Sequence, residues 1–239
     1  ERVLIRGACN CPGGWTMIET AGPNGGDRVQ ATDVRDPHII AGWANAVAQA
    51  LDARGLDSKA IFSAAGLDLS LARKPTERFP AASMTRVYAL AHSATNDPAF
   101  GLSIAEFVHP TSLNALGFSL LASNTLESFC RRVVRYFRLV TTNAECQMER
   151  TASEGRLVMA PTIDREQYYP QDAWMVTLVR FIREIYEPDY APLAVCLRRP
   201  RPREKVQQFE RFFRTDVQYG CDQNRLVFTL RDMDTELPA

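Results

Sequence analysis

The hydrophobic period of this 239-residue chain switches once, near residue 143, and that switch restricts the fold more than any single motif. Before it, apolar residues recur three and four apart, as on one face of a helix. After it, short alternating runs are separated by turn residues. In the first part, Asp36 as N-cap and Pro37 at the first helical position predict a helix carrying Ile39, Trp43, Ala46, Val47, Ala50 and Leu51, ended by Gly55. Asp57 opens a second, shorter helix running to Gly66, and "ASMTRVYALAHSAT" reads as a third, stopped by "NDP". The run "FGLSIAEFVHPTSLNALGFSLLASNTL" (100–126) predicts two buried helices split at His109-Pro110. In "NTLESFCRRVVRYFRLV", Asn124 and Glu127 have capping-box spacing before a stripe of Leu126, Phe129, Val133, Tyr136, Phe137 and Val140.

In the second part, "AECQMER" and "RLVMAP" predict a β-hairpin with Gly155 in its turn. "QDAWMVTLVRFIREIY" is an amphipathic helix, "PLAVCLRRP" a strand and "REKVQQFERFFRT" a helix. "DVQYG" and "RLVFTL" read as a second hairpin across "CDQN". Helices first and mostly strands afterwards define an α+β fold: an N-terminal helical part (36–142), then a small mixed or antiparallel sheet packed with helices (143–231). Residues 1–35 are rich in Gly and Pro without a period. They predict an irregular arm, with a short extended stretch at Arg2–Ile5.

Charge and chemistry remove several function classes. Lys+Arg and Asp+Glu are 28 each, so this piece lacks the positive surface that holds nucleic acid or an anionic membrane. The 100–126 run is broken before it reaches the roughly 20 apolar residues a membrane span requires. Cys9, Cys11, Cys130, Cys146, Cys196 and Cys221 fit neither a disulfide scaffold nor a zinc ribbon, and are expected as free thiols of a cytoplasmic protein. With only His38, His92 and His109, no nucleophile elbow and no Gly-rich nucleotide loop, no catalytic residue, cofactor or metal is implied, and the chain is not expected to be an enzyme. The basic run Leu197–Lys205 reads as a solvated connector. The stretch from Asp57 has a faint helix-turn-helix look but few basic residues on its second element. His109, between apolar helices, keeps a haem or gas sensor in view as a rival.

Several segments together resemble one family. Ala65-Gly66-Leu67, then Asp97-Pro98-Ala99-Phe100-Gly101-Leu102, Leu116-Gly117, Ser123-Asn124-Thr125-Leu126, Phe212-Phe213, Asn224 to Phe228 and Leu237-Pro238 follow in the order and spacing of the arabinose-binding-like N-terminal domain of AraC-type bacterial transcription regulators. The resemblance covers residues 38–238. It implies a cytoplasmic effector-binding and dimerisation domain over 36–239, working as a homodimer. It also implies a DNA-binding region of helix-turn-helix units expected after Ala239, so that DNA is a partner only through that region. The effector would be an amino acid or another small metabolite, and a dimerisation module without ligand is the remaining alternative. Relatives commonly carry a His in the strand before the Pro-rich connector, where this chain has Arg198-Arg199. Expected ligand anchors are Tyr168, Tyr169, Trp174 and His109, residues with apolar faces and polar tips beside predicted buried helices. The expected dimer surface is the helix 174–186, with Trp174, Leu178, Phe181, Ile182 and Ile185, or the helix 126–139, whichever keeps an exposed apolar stripe.

Overall fold

The computed structural model describes residues 37–162 and 168–236; the expected arm at 1–35 and the N-cap Asp36 lie outside them. Chain order begins with β1 (His38–Ile40) and α1 (Ala41–Asp52), so the first helix starts four residues later than its Asp-Pro signal predicted. The reason is pairing: β1 lies antiparallel to β2 (Arg78–Pro80), with Ile39 opposite Phe79, and the Ala81 N–H bonds the Pro37 carbonyl. Between them stand α2 (Ser58–Ala64), capped by Asp57 as predicted, and a 3-10 turn at Leu69–Arg73. No second helix follows α2 directly, so the helix-turn-helix impression has no structural counterpart there.

The next elements are α3 (Ala81–Thr95), ended by Asn96 in the left-handed region, then α4 (Phe100–Glu106) and α5 (Ala115–Leu121). His109-Pro110 does split the apolar run; Pro110–Leu113 forms a 3-10 turn between α4 and α5. The cap of α6 (Leu126–Tyr136) is Thr125 rather than Asn124. Its hydroxyl accepts from the Ser128 N–H (3.0 Å) while the Ser128 hydroxyl receives the Thr125 N–H (3.1 Å).

The sheet holds β3 (Ala144–Arg150), β4 (Glu154–Pro161), β5 (Ala194–Leu197), β6 (Val217–Tyr219) and β7 (Asn224–Thr229) in the order β3-β4-β7-β5-β6. It is mixed: β5 and β6 are parallel, the other pairs antiparallel. Two expectations are corrected. Gly155 is not in the hairpin turn but within β4, opposite Arg150 and Phe228, where a Cβ would stand 2.9 Å from Met233 Cγ of α9 (Leu230–Asp234). The bare backbone admits that methionine. Nor do β6 and β7 form a hairpin: β5 lies between them, because Val195 and Leu197 are fully buried and a central strand hides them best. α8 (Val206–Phe213) makes the crossover that a parallel β5–β6 pair requires.

At the centre runs α7 (Tyr169–Ile185), with eleven of seventeen residues buried. It packs against α4 on one side and against β7 and α8 on others, so helices and sheet share one continuous core. Among the described residues, no helix is long and apolar enough to cross a membrane.

Candidate functional site

One face of α7 opens on a cleft with a cavity of ≈ 80 Å³. α7 contributes Pro170, Gln171 and Trp174; α1 contributes Trp43. α3 lays Ala81, Thr85 and Tyr88 along it, the spacing of a single helix face. Phe137, Val140, Thr141 and Asn143 come from the segment that joins α6 to β3, Ala144 from the start of β3, and Met159 and Pro161 from the end of β4. The wall is aromatic: the Trp174 ring lies 5.9 Å from that of Trp43 and 4.9 Å from that of Phe137, tilted by 55° and 48°.

The polar atoms of the wall are unequally satisfied. The Trp43 indole N–H donates to the Tyr88 hydroxyl at 2.9 Å, and full burial pushes that phenol far above its ordinary pKa, so it stays neutral. The Thr141 hydroxyl donates to Asn143 Oδ1 at 2.6 Å. The Trp174 indole N–H is buried with no hydrogen-bond partner among the described residues. Beside it is the Cys146 thiol, itself driven up in pKa by burial, a weak sulfur acceptor toward that N–H.

The other face of α7 carries a buried polar network. A helix turns about 100° per residue, so Asp172 points away from the side shared by Gln171 and Trp174. Its carboxylate meets the Arg199 guanidinium at 2.5 Å, with the side chains 1% and 8% exposed. Burial pushes Asp172 up to about 7, against the pull of the Arg199 charge and hydrogen bond. Arg199 also donates to the Pro98 carbonyl (2.7 Å) and lies over the Phe209 ring at 5.0 Å.

This network gives the Asp97-Pro98 motif a structural meaning. Asp97 pairs with Arg54 and Lys205, each at 2.9 Å, and accepts the Ala99 N–H ahead of α4. Its carbonyl receives the Tyr169 hydroxyl at 2.6 Å. Gly101 sits where a Cβ would come within 2.8 Å of both Asp172 Cβ and the Tyr169 carbonyl, which lets α4 press onto α7.

Of the four expected anchors, Trp174 alone lines the cleft. Tyr169 is buried in the Asp97 network with His92 Nδ1 2.7 Å from its hydroxyl, and Tyr168 is half-buried beside Arg199. His109 is exposed as the cap of the 3-10 turn, its N–H bonded to the Ser112 hydroxyl. The expected dimer stripe is also corrected: Trp174, Leu178, Phe181 and Ile182 are at most 3% exposed within the chain's own core, and Ile185 is half-buried. The stripe of α6 is likewise turned inward at Leu126, Phe129 and Val133. Trp43, Tyr88, Phe137 and Asn143 were not expected in a site. The helical stripes of the first three mark core, Asn143 stands in a connector, and nothing local tells that α1, α3 and α7 leave a gap between them.

Comparison with known proteins adds the following. A family model described as the arabinose-binding domain of AraC transcription regulators, N-terminal, matches residues 55–237. The crystal structure of the transcriptional regulator CdpR from Pseudomonas aeruginosa superposes with a TM-score of 0.58 at 13% identity, over 81% of this chain and 56% of that one. At that identity the likeness is one of fold, and the chain spans little more than half the length of that regulator. No curated protein matches the sequence.

Proposed function

The chain belongs to the arabinose-binding-domain family of AraC transcription regulators, and we propose from that premise that a small effector binds the Trp43–Trp174 cleft and so controls a DNA-binding region of a longer protein. The observation that carries this reading is the aromatic cleft on α7, a concave apolar site with few polar groups, as ligand sites are. An effector acts only through a difference in affinity between two states. Here its contacts with Gln171 and Trp174 bear on the placement of α7. Gln171 Oε1 receives the Asn224 side chain at 2.7 Å, and Asn224 begins β7, which runs directly into α9. Coupling is proposed to leave the domain along that path, through residues 232–239.

A homodimer is part of the proposal. With both expected helix stripes turned inward, the apolar pair Phe118 and Leu121, 59% and 39% exposed and one turn apart on α5, is the surface we assign to a second copy of the chain. Phe118→Glu is expected to give a monomer by light scattering without loss of stability; a dimer unchanged by it would refute the assignment. The haem alternative relied on His109, which is exposed and outside the cleft. Among the described residues, no group of His, Cys, Asp and Glu is placed to hold a metal ion.

The sensing role is tested in the longer regulator by Ala144→Leu, whose added carbons fill the cavity. The expected result is a regulator that still binds its promoter and no longer responds to effector. A response equal to that of the wild type would sink the assignment of the cleft.

A further inference from the structure

We infer that Cys196 and Cys221 are a redox modification site, a thiol pair that hydroperoxides convert to a reversible disulfide clipping the β6–β7 loop onto β5. The assignment starts from the ladder. Cys196 of β5 is paired with Gln218 of β6 on one side and Arg225 of β7 on the other. Paired residues share a face of the sheet, here the one opposite the core face that Val195 and Leu197 occupy. The Cys196 Sγ lies 3.5 Å from Gln218 Oε1. Past β6, Gly220 takes the left-handed conformation (φ 70°), and the Cys221 N–H bonds the Leu197 carbonyl at 3.1 Å. The loop is thereby folded back over β5, and the two side chains become hydrogen-bonding neighbours as free thiols. The loop, rather than either strand, supplies the small movement that closes a sulfur–sulfur bond.

The two thiols are unequal. Cys196 is 5% exposed, and burial holds it above its ordinary pKa, with Cys221 adding to the effect and the Arg225 charge opposing it. Cys221 is half-buried in the loop, so an oxidant meets it first. Its thiolate attacks one oxygen of a hydroperoxide. The O–O bond breaks, water or an alcohol leaves, and Cys221 becomes a sulfenic acid. The Cys196 thiolate then attacks the Cys221 sulfur, the S–O bond breaks, and the hydroxide leaves as water with the proton that Cys196 gave up. Together the thiols lose two electrons and two protons, and the hydroperoxide is reduced. Arg225 stands where it favours the Cys196 thiolate, and its buried Nε has no hydrogen-bond partner among the described residues. The product is neutral and suits a buried position better than a thiolate does. Thiol exchange with a small reductant reverses it. The link would also fix the start of β7, where the Asn224 side chain bonds Gln171 at 2.7 Å and the Arg198 N–H at 2.9 Å. The pair stands whether or not the cleft takes an effector.

The test treats the full chain with a slight excess of hydrogen peroxide, blocks the remaining thiols with N-ethylmaleimide in denaturant, and maps peptides by mass spectrometry without reductant. The expected product is a peptide joining Cys196 to Cys221, two hydrogens lighter than its parts and separated again by dithiothreitol. Cys196→Ser should leave Cys221 as a sulfenic acid that dimedone traps, whereas Cys221→Ser should leave Cys196 unmodified under the same conditions. Mapping of the wild type decides the matter by itself if a variant does not fold. Cys221 joined instead to Cys9, to Cys11 or to a second copy would overturn the pair. So would Cys221 driven to a sulfinic acid beside a free Cys196, or both thiols recovered as maleimide adducts.

Discussion

Replacing Arg199 with Met removes a charge from beneath α7 and should destabilise the protein in a pH-dependent way. Asp172 is 1% exposed and Arg199 is its ion-pair partner at 2.5 Å. Breaking a buried pair by removing one member costs about 3–5 kcal/mol, because the other charge stays buried alone. That is a large share of the roughly 5–15 kcal/mol by which a domain is stable. The full cost applies only where Asp172 is ionised. Burial already holds its carboxyl up at about 7, and without the Arg199 charge it rises further. A carboxyl whose folded pKa lies above its unfolded value stabilises the fold while protonated, below about 4, and that contribution is lost as pH climbs through the folded pKa. Near pH 5 the variant can keep Asp172 protonated, so it loses only the bond to the Pro98 carbonyl and the contact with Phe209, about 1–2 kcal/mol. At pH 8, about one unit above the wild-type folded pKa, linkage adds at most about 1.4 kcal/mol to that loss, and the full figure is reached only at higher pH. Urea unfolding of wild type and Arg199→Met at both pH values measures the difference, and adding Asp172→Asn to the variant should remove it. A cost that is the same at pH 5 and pH 8 would refute the reasoning.

Three other outcomes follow from the same contacts. Tyr88→Phe strands the Trp43 N–H and should cost about 1–3 kcal/mol in chemical denaturation. Gly101→Ala forces a carbon to within 2.8 Å of Asp172 Cβ and the Tyr169 carbonyl, and should cost about 1–3 kcal/mol by overpacking, read as a lowered midpoint at unchanged slope. The thiols of Cys130 and Cys146, buried and pushed up in pKa, should resist maleimide in the native protein and react on unfolding, whereas the half-buried Cys221 labels earlier; mass spectrometry of the modified peptides separates them.

Much of the fold was legible in the sequence where the signals are local. α3, α7 and α8 begin and end within a few residues of their apolar stripes and stop signals. Signals that depend on a distant partner misled. Asp36-Pro37 reads as a helix start, yet Ile39 and Ile40 pair with a strand some forty residues on. "DVQYG" and "RLVFTL" read as a hairpin because neighbours in sequence usually pair, and β5 came between them from further back in the chain. In the site, the preference for rings with polar tips picked out Trp174, which lines the cleft, and Tyr169, which does not. Five residues of helix turn about 140° between them, which sends Tyr169 to the Asp97 network instead of the cleft.

The central claim is that the Trp43–Trp174 cleft is where the domain senses a small molecule. The most direct test is a thermal-shift screen of the wild type and Ala144→Leu against amino acids, polyamines, sugars, fatty acids and neutral aromatic metabolites. A ligand at a hundred times its dissociation constant adds about 2.7 kcal/mol of stability, well within reach of such a screen. The account predicts that one chemical class shifts the wild type in a dose-dependent way and leaves Ala144→Leu unmoved. An equal shift of both proteins, or no shift from any class while light scattering still shows a dimer, would contradict it.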